Sequence, residues 1–143
     1  MFIGEYKHTL DEKNRMSLPA KFRSELGKKV IVAPGLDKSI FMFTLKEWEK
    51  FSEKLSEQTL RADNRSFNRF MFGGALEVEI DGSGRILIPD FLKDRAGLKK
   101  NVAVIGVQNR VEIWNEKTWN EYKAVVETQA DQLAEKLGGI GVL

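Results

Sequence analysis

The chain of 143 residues has no cysteine and a single histidine. Without cysteine there is no disulfide scaffold, no thiolate metal site and no thiol nucleophile. That composition suits a reducing compartment. One histidine cannot make a paired-histidine metal motif, and His8 lies in an alternating, strand-like run where a structural role is the simpler reading. No apolar stretch approaches the ~18–20 residues needed to cross a bilayer. The opening "MFIGEYKHTLDEKN" lacks the basic lead and apolar run of a secretion signal. No glycine loop ends in Lys-Ser or Lys-Thr to cradle a phosphate. The glycines of "DGSGR" read as a turn, because a dinucleotide fingerprint requires a strand-to-helix junction. These absences point away from an enzyme, a cofactor, a metal and a membrane partner. The expectation is a cytoplasmic protein.

Apolar residues make up 42% and charged residues 31%, the balance of a globular chain with enough length to bury a core. The formal net charge is only +2. Its distribution is uneven. Residues 1–30 hold seven Lys and Arg against four Asp and Glu, whereas residues 110–143 hold four against six. A basic end permits a nucleic-acid surface, although solvated charge explains such a split equally well.

The strongest signal is a repetition. "DEKNRMSLP" at 11–19 returns as "DGSGRILIP" at 81–89, with aspartate, arginine and proline in register. The match continues through "SLPAKFRSELG" (17–27) and "LIPDFLKDRAG" (87–97). After one insertion Lys28 and Lys29 meet Lys99 and Lys100, Gly35 meets Gly106, and Trp48 meets Trp119. A period of this length is too long for a solenoid and suits a duplicated small unit. The repeats are placed at 5–56 and 75–122, with a helical connector at 57–74 and a C-terminal helix and tail at 123–143.

Within each unit, alternation of Tyr6, His8 and Leu10, or of Leu76, Val78 and Ile80, predicts a strand. A tight turn follows, at 11–14 or 81–84, and then "RMSL" or "RILI" resumes an extended pattern, together a hairpin signal. Pro19 and Pro89 suit the first turn of a short helix, and Gly27 and Gly97 its end. Its apolar anchors are Phe22 and Leu26 in one copy, Phe91 and Leu92 in the other. "VIVAPG" and "VAVIGV" read as buried strands, each with a hairpin partner, "SIFMF" or "RVEIW". A longer helix closes each unit. Thr44 with Glu47 makes a capping box before Leu45, Trp48, Phe51 and Leu55. Asn115 caps a helix bearing Trp119, Tyr122, Val126, Leu133 and Leu137, a stripe fit for the core or for a seam against another subunit. The connector "RADNRSFNRFMFGGA" places Phe67, Phe70 and Met71 on one face. A few short strands make a marginal sheet alone, so the two units are expected to cover each other about a pseudo-twofold axis. The tail "GGIGVL" is expected to fray.

Asp11 and Asp81 read as turn-structuring residues that accept backbone N–H bonds locally; a symmetric acid pair is the enzymatic alternative. Arg15 and Arg85 have no evident local task. A guanidinium fork reads guanine in the major groove or clamps phosphate, and a two-stranded ribbon fits that groove. Each arginine is equally able to pair with the aspartate of its own turn. Spacing alone leaves both readings open.

The stretch "GEYKHTLDEKNR" at 4–15, both Asp-x-x-x-Arg turns leading to a proline, "RSFNRFMFGGA" at 65–75 and "VEIW" at 111–114 together carry a resemblance. Over residues 1–137 the chain resembles the MraZ family of bacterial transcriptional regulators, encoded at the head of the division and cell-wall gene cluster. That family is similar to the swapped-hairpin DNA-binding domains of the AbrB and MazE type. The resemblance implies a mainly β fold with flanking helices (α+β), a double-split β-barrel of two pseudo-symmetric swapped-hairpin repeats. It implies a ring-shaped homo-oligomer of about eight subunits, associated with the nucleoid. It also implies binding to short direct repeats of double-stranded DNA in the promoter of its own operon, with no cofactor and no catalytic residue. Carried onto this sequence, the DNA-contacting motif falls on Arg15 and Arg85, with Lys13, Asn14, Ser83 and Gly84 in the turns and Lys7 on the adjoining strand. Ser83 stands where the first turn has Lys13, so the first hairpin is expected to contribute more charge. The rival reading is an antitoxin-like interaction module with secondary DNA binding; the helical character predicted near the C-terminus disfavours the extended partner-binding tail it requires.

Overall fold

The computed structural model describes residues 1–57 and 62–143. Among these described residues eight strands and five helices follow in order. The first half holds β1 (Phe2–Thr9), β2 (Arg15–Ser17), α1 (Ala20–Leu26), β3 (Lys29–Pro34), β4 (Ile40–Thr44) and α2 (Leu45–Ser56). Then come α3 (Ala62–Gly73), β5 (Leu76–Glu79), β6 (Arg85–Leu87), α4 (Asp90–Arg95), β7 (Asn101–Gln108), β8 (Val111–Asn115) and α5 (Glu116–Gly139). The fold is a sheet with flanking helices, as the alternation predicts.

Strand pairing follows an exchange between the repeats. The main sheet runs β1-β7-β8-β4-β3-β5, all antiparallel, and β2 pairs with β6 in a separate ribbon. Thus β1 leaves its own repeat to pair with β7 along its whole length, Phe2 opposite Gln108 to Thr9 opposite Asn101. β5 likewise pairs with β3 of the first repeat. The expected hairpins between β1 and β2, and between β5 and β6, therefore hold only at their turns. Beyond a single bridge of Leu10 to Met16, the strands of the first one part.

The pseudo-twofold axis is visible in the register. In the ribbon Met16 faces Ile86, with Arg15 opposite Leu87 and Ser17 opposite Arg85. In the sheet Phe41 faces Glu112, flanked by Ile40 opposite Ile113 and Met42 opposite Val111. The mainly β, α+β character expected is present, but the six-stranded sheet is not closed into a barrel: it ends at β1 and β5, and β2 pairs with β6 in a separate ribbon.

Period-2 alternation sorts each central strand between two layers. On one face Val30, Val32, Ile40, Met42, Val102, Val104, Val111 and Ile113 meet Met16 and Ile86 of the ribbon and Leu18 and Ile88 just beyond it, with Phe22 and Leu26 of α1 and Leu92 of α4. Full burial of each such aliphatic side chain contributes about 1.5–3 kcal/mol. On the other face Ala33, Phe41 and Phe43 pack with Trp48, Phe51 and Leu55 of α2 and with Phe67, Phe70 and Met71 of α3. Ala103, Ile105 and Trp114 pack there with Trp119 of α5. Trp48, Phe51 and Leu55 of α2 and Phe67, Phe70 and Met71 of the connector thus take their expected places, whereas Leu45, also expected on that stripe, is 41% exposed; residues 58–61 of the connector lie outside the described residues.

The predicted caps form. Thr44 Oγ1 accepts from the Glu47 N–H at 3.1 Å and Asn115 Oδ1 from the Thr118 N–H at 3.0 Å. Pro19 and Pro89 precede α1 and α4 as their N-caps, one residue earlier than a first-turn position. Gly27 and Gly97 close those helices with φ of 79° and 60°, where a Cβ would be strained.

Three further expectations are corrected. Phe91 is 49% exposed, and Leu92 with Ala96 anchors α4, at the positions matching Phe22 and Leu26. α5 contains no buried residue: only its first turns touch the sheet, through Trp119 and Tyr122 against Trp114, while Val126, Leu133 and Leu137 lie beyond the core. Gly106 is matched to Gly35 in sequence but not in backbone role. Gly35 N–H donates to Ser39, and Val107 N–H makes the equivalent bond to Arg110. Gly106 instead faces Gly4 of β1, so closely that a Cβ on it would strike the Phe2–Ile3 backbone.

Candidate nucleic-acid interface

The two turns are built alike, atom for atom. Asp11 Oδ1 accepts from the Lys13 N–H at 2.9 Å and the Arg15 N–H at 2.8 Å. Asp81 Oδ1 accepts from Ser83 at 2.8 Å and Arg85 at 2.9 Å. The second oxygen of each carboxylate takes the arginine Nε, at 3.1 Å in both copies. Each turn closes with the aspartate N–H bonded to the arginine carbonyl at 2.9 Å. The fourth residue carries positive φ, 60° at Asn14 and 77° at Gly84. Asparagine and glycine are the residues that adopt this conformation at least cost.

Each arginine thus pairs with the aspartate of its own turn, one of the two readings that the spacing leaves open. The aspartate holds the guanidinium by Nε, while among the described residues no hydrogen bond or ion pair engages Nη1 or Nη2 of Arg15 or Arg85. Alternation puts Met16 and Ile86 inward, so Arg15 and Arg85 share the outer face of the ribbon. Their diagonal placement sets the two Cα atoms roughly 7–8 Å apart. The result is a pair of oriented donor forks on one exposed surface.

The Arg15 N–H, joined by the Lys13 N–H and the Arg15 guanidinium and opposed by desolvation, holds the Asp11 carboxyl below its ordinary value. Asp81 is lowered in the same way, first by the Arg85 N–H. Such groups stabilise the fold above the ordinary aspartate pKa of 3.8, and that contribution is lost as pH falls from there through the lower folded-state value. An Asp11→Asn/Asp81→Asn protein is expected to melt lower at neutral pH and to show a flatter decline in acid than the parent. Parallel melting-versus-pH curves for the two proteins would contradict this role.

The other sequence candidates are distributed unevenly. Lys13 and Ser83 are exposed at the turn tips. The Asn14 amide is engaged, donating to Asp90 Oδ1 at 2.6 Å and accepting from Lys93 Nζ at 2.9 Å. Gly84 is buried beneath Arg23. Lys7 donates to Asn120 of α5 at 3.2 Å and pairs with Glu5 at 3.3 Å, which commits it to α5. His8 is half-buried on β1; burial first, and the charge of Arg23 second, lower its pKa.

Two side chains at the turns escape a reading of the turns alone. Arg23 of α1 lies against Gly84 of the other repeat, its Nε donating to the Leu18 carbonyl at 3.0 Å. Lys93 of α4 occupies the corresponding place beside Asn14. Backbone bonds tie the same segments, from Leu18 N–H to Gly84 at 2.9 Å and from Ile88 N–H to Asn14 at 2.8 Å. The signal was the recurrence of a cation at matching helix positions, but its destination depends on the exchange of strands.

Among the described residues no group of three or more His, Asp or Glu side chains is arranged to hold a metal, and no helix is long and apolar enough to cross a membrane.

Comparison with known proteins bears on this arrangement. The family described as "MraZ protein, putative antitoxin-like" matches twice, over residues 1–70 and 71–137, so the internal repeat is also a repeat of the family's unit. A "Transcriptional regulator MraZ" of Caldicellulosiruptor saccharolyticus is 47% identical over 143 residues, covering 99% of this chain and 100% of the relative. One from Caldanaerobacter subterraneus subsp. tengcongensis is 43% identical over the same spans. One from Oenococcus oeni is 47% identical over 138 residues, 96% of each chain. With the family's unit matched in both halves and relatives of this identity aligned nearly end to end, the chain belongs to the MraZ family.

Proposed function

We propose that this protein is a sequence-specific DNA-binding transcriptional regulator whose two Asp-x-x-x-Arg turns are its DNA-contacting elements. The observation that carries the reading is the matched pair of guanidinium forks, oriented through Nε on one face with their terminal nitrogens unengaged. The relatives' name, transcriptional regulator, supports it. Arg15 and Arg85 read base edges or clamp phosphate, and Lys13 and Ser83 at the tips add contacts to the backbone, which position without specifying. Catalysis forms no part of this function, and the protein works in the cytoplasm on the nucleoid.

A single chain of net charge +2 binds a polyanion weakly. Several chains in a ring, each engaging one of a series of direct repeats upstream of the protein's own gene, gain ~10²–10⁴ in avidity when spacing matches geometry. The α5 stripe of Val126, Leu133 and Leu137, free of the core, is a surface suited to such contacts between copies. The antitoxin-like alternative calls for an extended partner-binding tail, whereas α5 is helical from Glu116 to Gly139.

The test is an anisotropy titration of a labelled duplex from upstream of the gene, against a scrambled duplex, at two salt concentrations. Preferential, salt-sensitive binding is expected. Altering the spacing between repeats should weaken binding more than altering one repeat; equal affinity for all spacings would remove the avidity account.

A further inference from the structure

The turns that contact DNA in the reading above carry no net charge of their own. Residues 11–15 hold two carboxylates and two cations, and residues 81–85 hold one of each. Attraction to a polyanion must therefore come from what surrounds them, and the surroundings belong to the opposite repeat. Arg23 sits over the second turn, close enough that a Cβ on Gly84 would meet its Cζ and Nε at 2.6 Å and its Nη1 at 2.9 Å. Its Nε bond to Leu18 seats the guanidinium, and Leu18 is itself bonded to Gly84. No ion pair neutralises Arg23 among the described residues, and it is exposed. At the first turn Lys93 has the same station, but Asp90 stands beside it, bonded to the same Asn14 side chain. Ala20 occupies the position matching Asp90 in the first repeat. The second turn thus has an uncompensated guanidinium where the first has an ammonium partly offset by a carboxylate.

We propose that Arg23, a residue of the first repeat, is the phosphate-binding cation of the second repeat's turn, with Lys93 as its weaker counterpart at the first. This rests on the reading of the turns as DNA-contacting and deepens it: each contact head is a composite of both repeats. A guanidinium fixed at the flank of a turn, with Nη1 and Nη2 unengaged, presents the planar donor set that suits a phosphodiester oxygen pair. The substitution of Ser83 for Lys13 is then balanced, because the second head draws its charge from Arg23.

The experiment measures duplex affinity as a function of salt for the parent, Arg23→Gln, Arg23→Lys and Lys93→Gln, each checked by thermal melting. Removing one phosphate contact lowers the slope of log K against log salt by about 0.9. Arg23→Gln should show that loss for cognate and scrambled duplexes alike, Arg23→Lys should retain most of the slope, and Lys93→Gln should lose less. In an Arg15→Ala background, where binding relies on the second head, Arg23→Gln should weaken affinity further; in an Arg85→Ala background it should add little. The proposal is overturned if Arg23→Gln keeps the parent's affinity and slope. It is also overturned if Arg23→Lys, melting like the parent, loses as much as Arg23→Gln, since the Leu18 bond would then be the whole role. A parent that binds no duplex removes the DNA reading and this proposal together; a parent that binds while Arg23→Gln is unchanged removes this proposal alone.

Discussion

An Arg15→Ala/Arg85→Ala protein is expected to melt close to the parent and to lose at least roughly 30-fold in affinity for its cognate duplex. The expectation follows from where each guanidinium spends its hydrogen bonds. One nitrogen goes to the aspartate of the turn, and that aspartate keeps its two backbone N–H bonds when the side chain is cut back. The turn therefore survives. What is lost is the outward fork, worth about 1–3 kcal/mol of discrimination for each well-made bidentate contact. With two heads per chain the losses sum, and multivalent engagement enlarges them. Anisotropy on cognate and scrambled duplexes, beside a thermal melt, decides the matter. A folded double variant that binds like the parent would make both arginines structural and move the DNA surface elsewhere.

The second large effect concerns the exchange of strands. Neither repeat is expected to fold as a monomer when expressed as residues 1–57 or 62–143. In the first fragment β1 has no β7, β2 has no β6, and β3 is left with β4 alone. The aliphatic cluster on the ribbon side needs Met16 and Leu18 from one repeat against Ile86 and Ile88 from the other. Three or four short strands with half a core are marginal. Any cooperative melt of a fragment should therefore depend on concentration, through pairing with a second copy or with the complementary fragment. A monomeric fragment with a concentration-independent melt would show that the exchanged strands are dispensable.

How much of this was legible in the sequence depends on which interactions are local. The turns, the caps at Thr44 and Asn115, and the terminating glycines were readable because each is decided within a few residues. The faces of β3, β4, β7 and β8 were readable too, since alternation assigns a side chain to a layer. Alternation does not say which strand lies alongside, so β1 with β7 could not be derived from periodicity. The same limit hid Arg23 and Lys93, whose neighbours are 61 and 79 residues away in the chain. Phe91 misled because hydrophobicity is only a one-way guide to burial; its partner position in the first repeat is Lys21, a solvent-facing residue. α5 misled for a related reason, as a stripe at helical spacing says that something should cover it, not what.

The pairing of β1 with β7 has a consequence for how the protein is made. The chain leaves the ribosome from its N-terminus, and residues 2–9 emerge about a hundred positions ahead of residues 101–108, their neighbours in the main sheet. At translation rates of about 5–20 residues per second, the first strand waits roughly 5–20 s with both edges open. The second exchange is far quicker: β5 finds β3 already synthesised and standing ready. The two halves of a nearly symmetric molecule are thus unequal in time, and it is β1, carrying the exposed Ile3 at 68% accessibility, that is left open to capture by a neighbouring nascent copy.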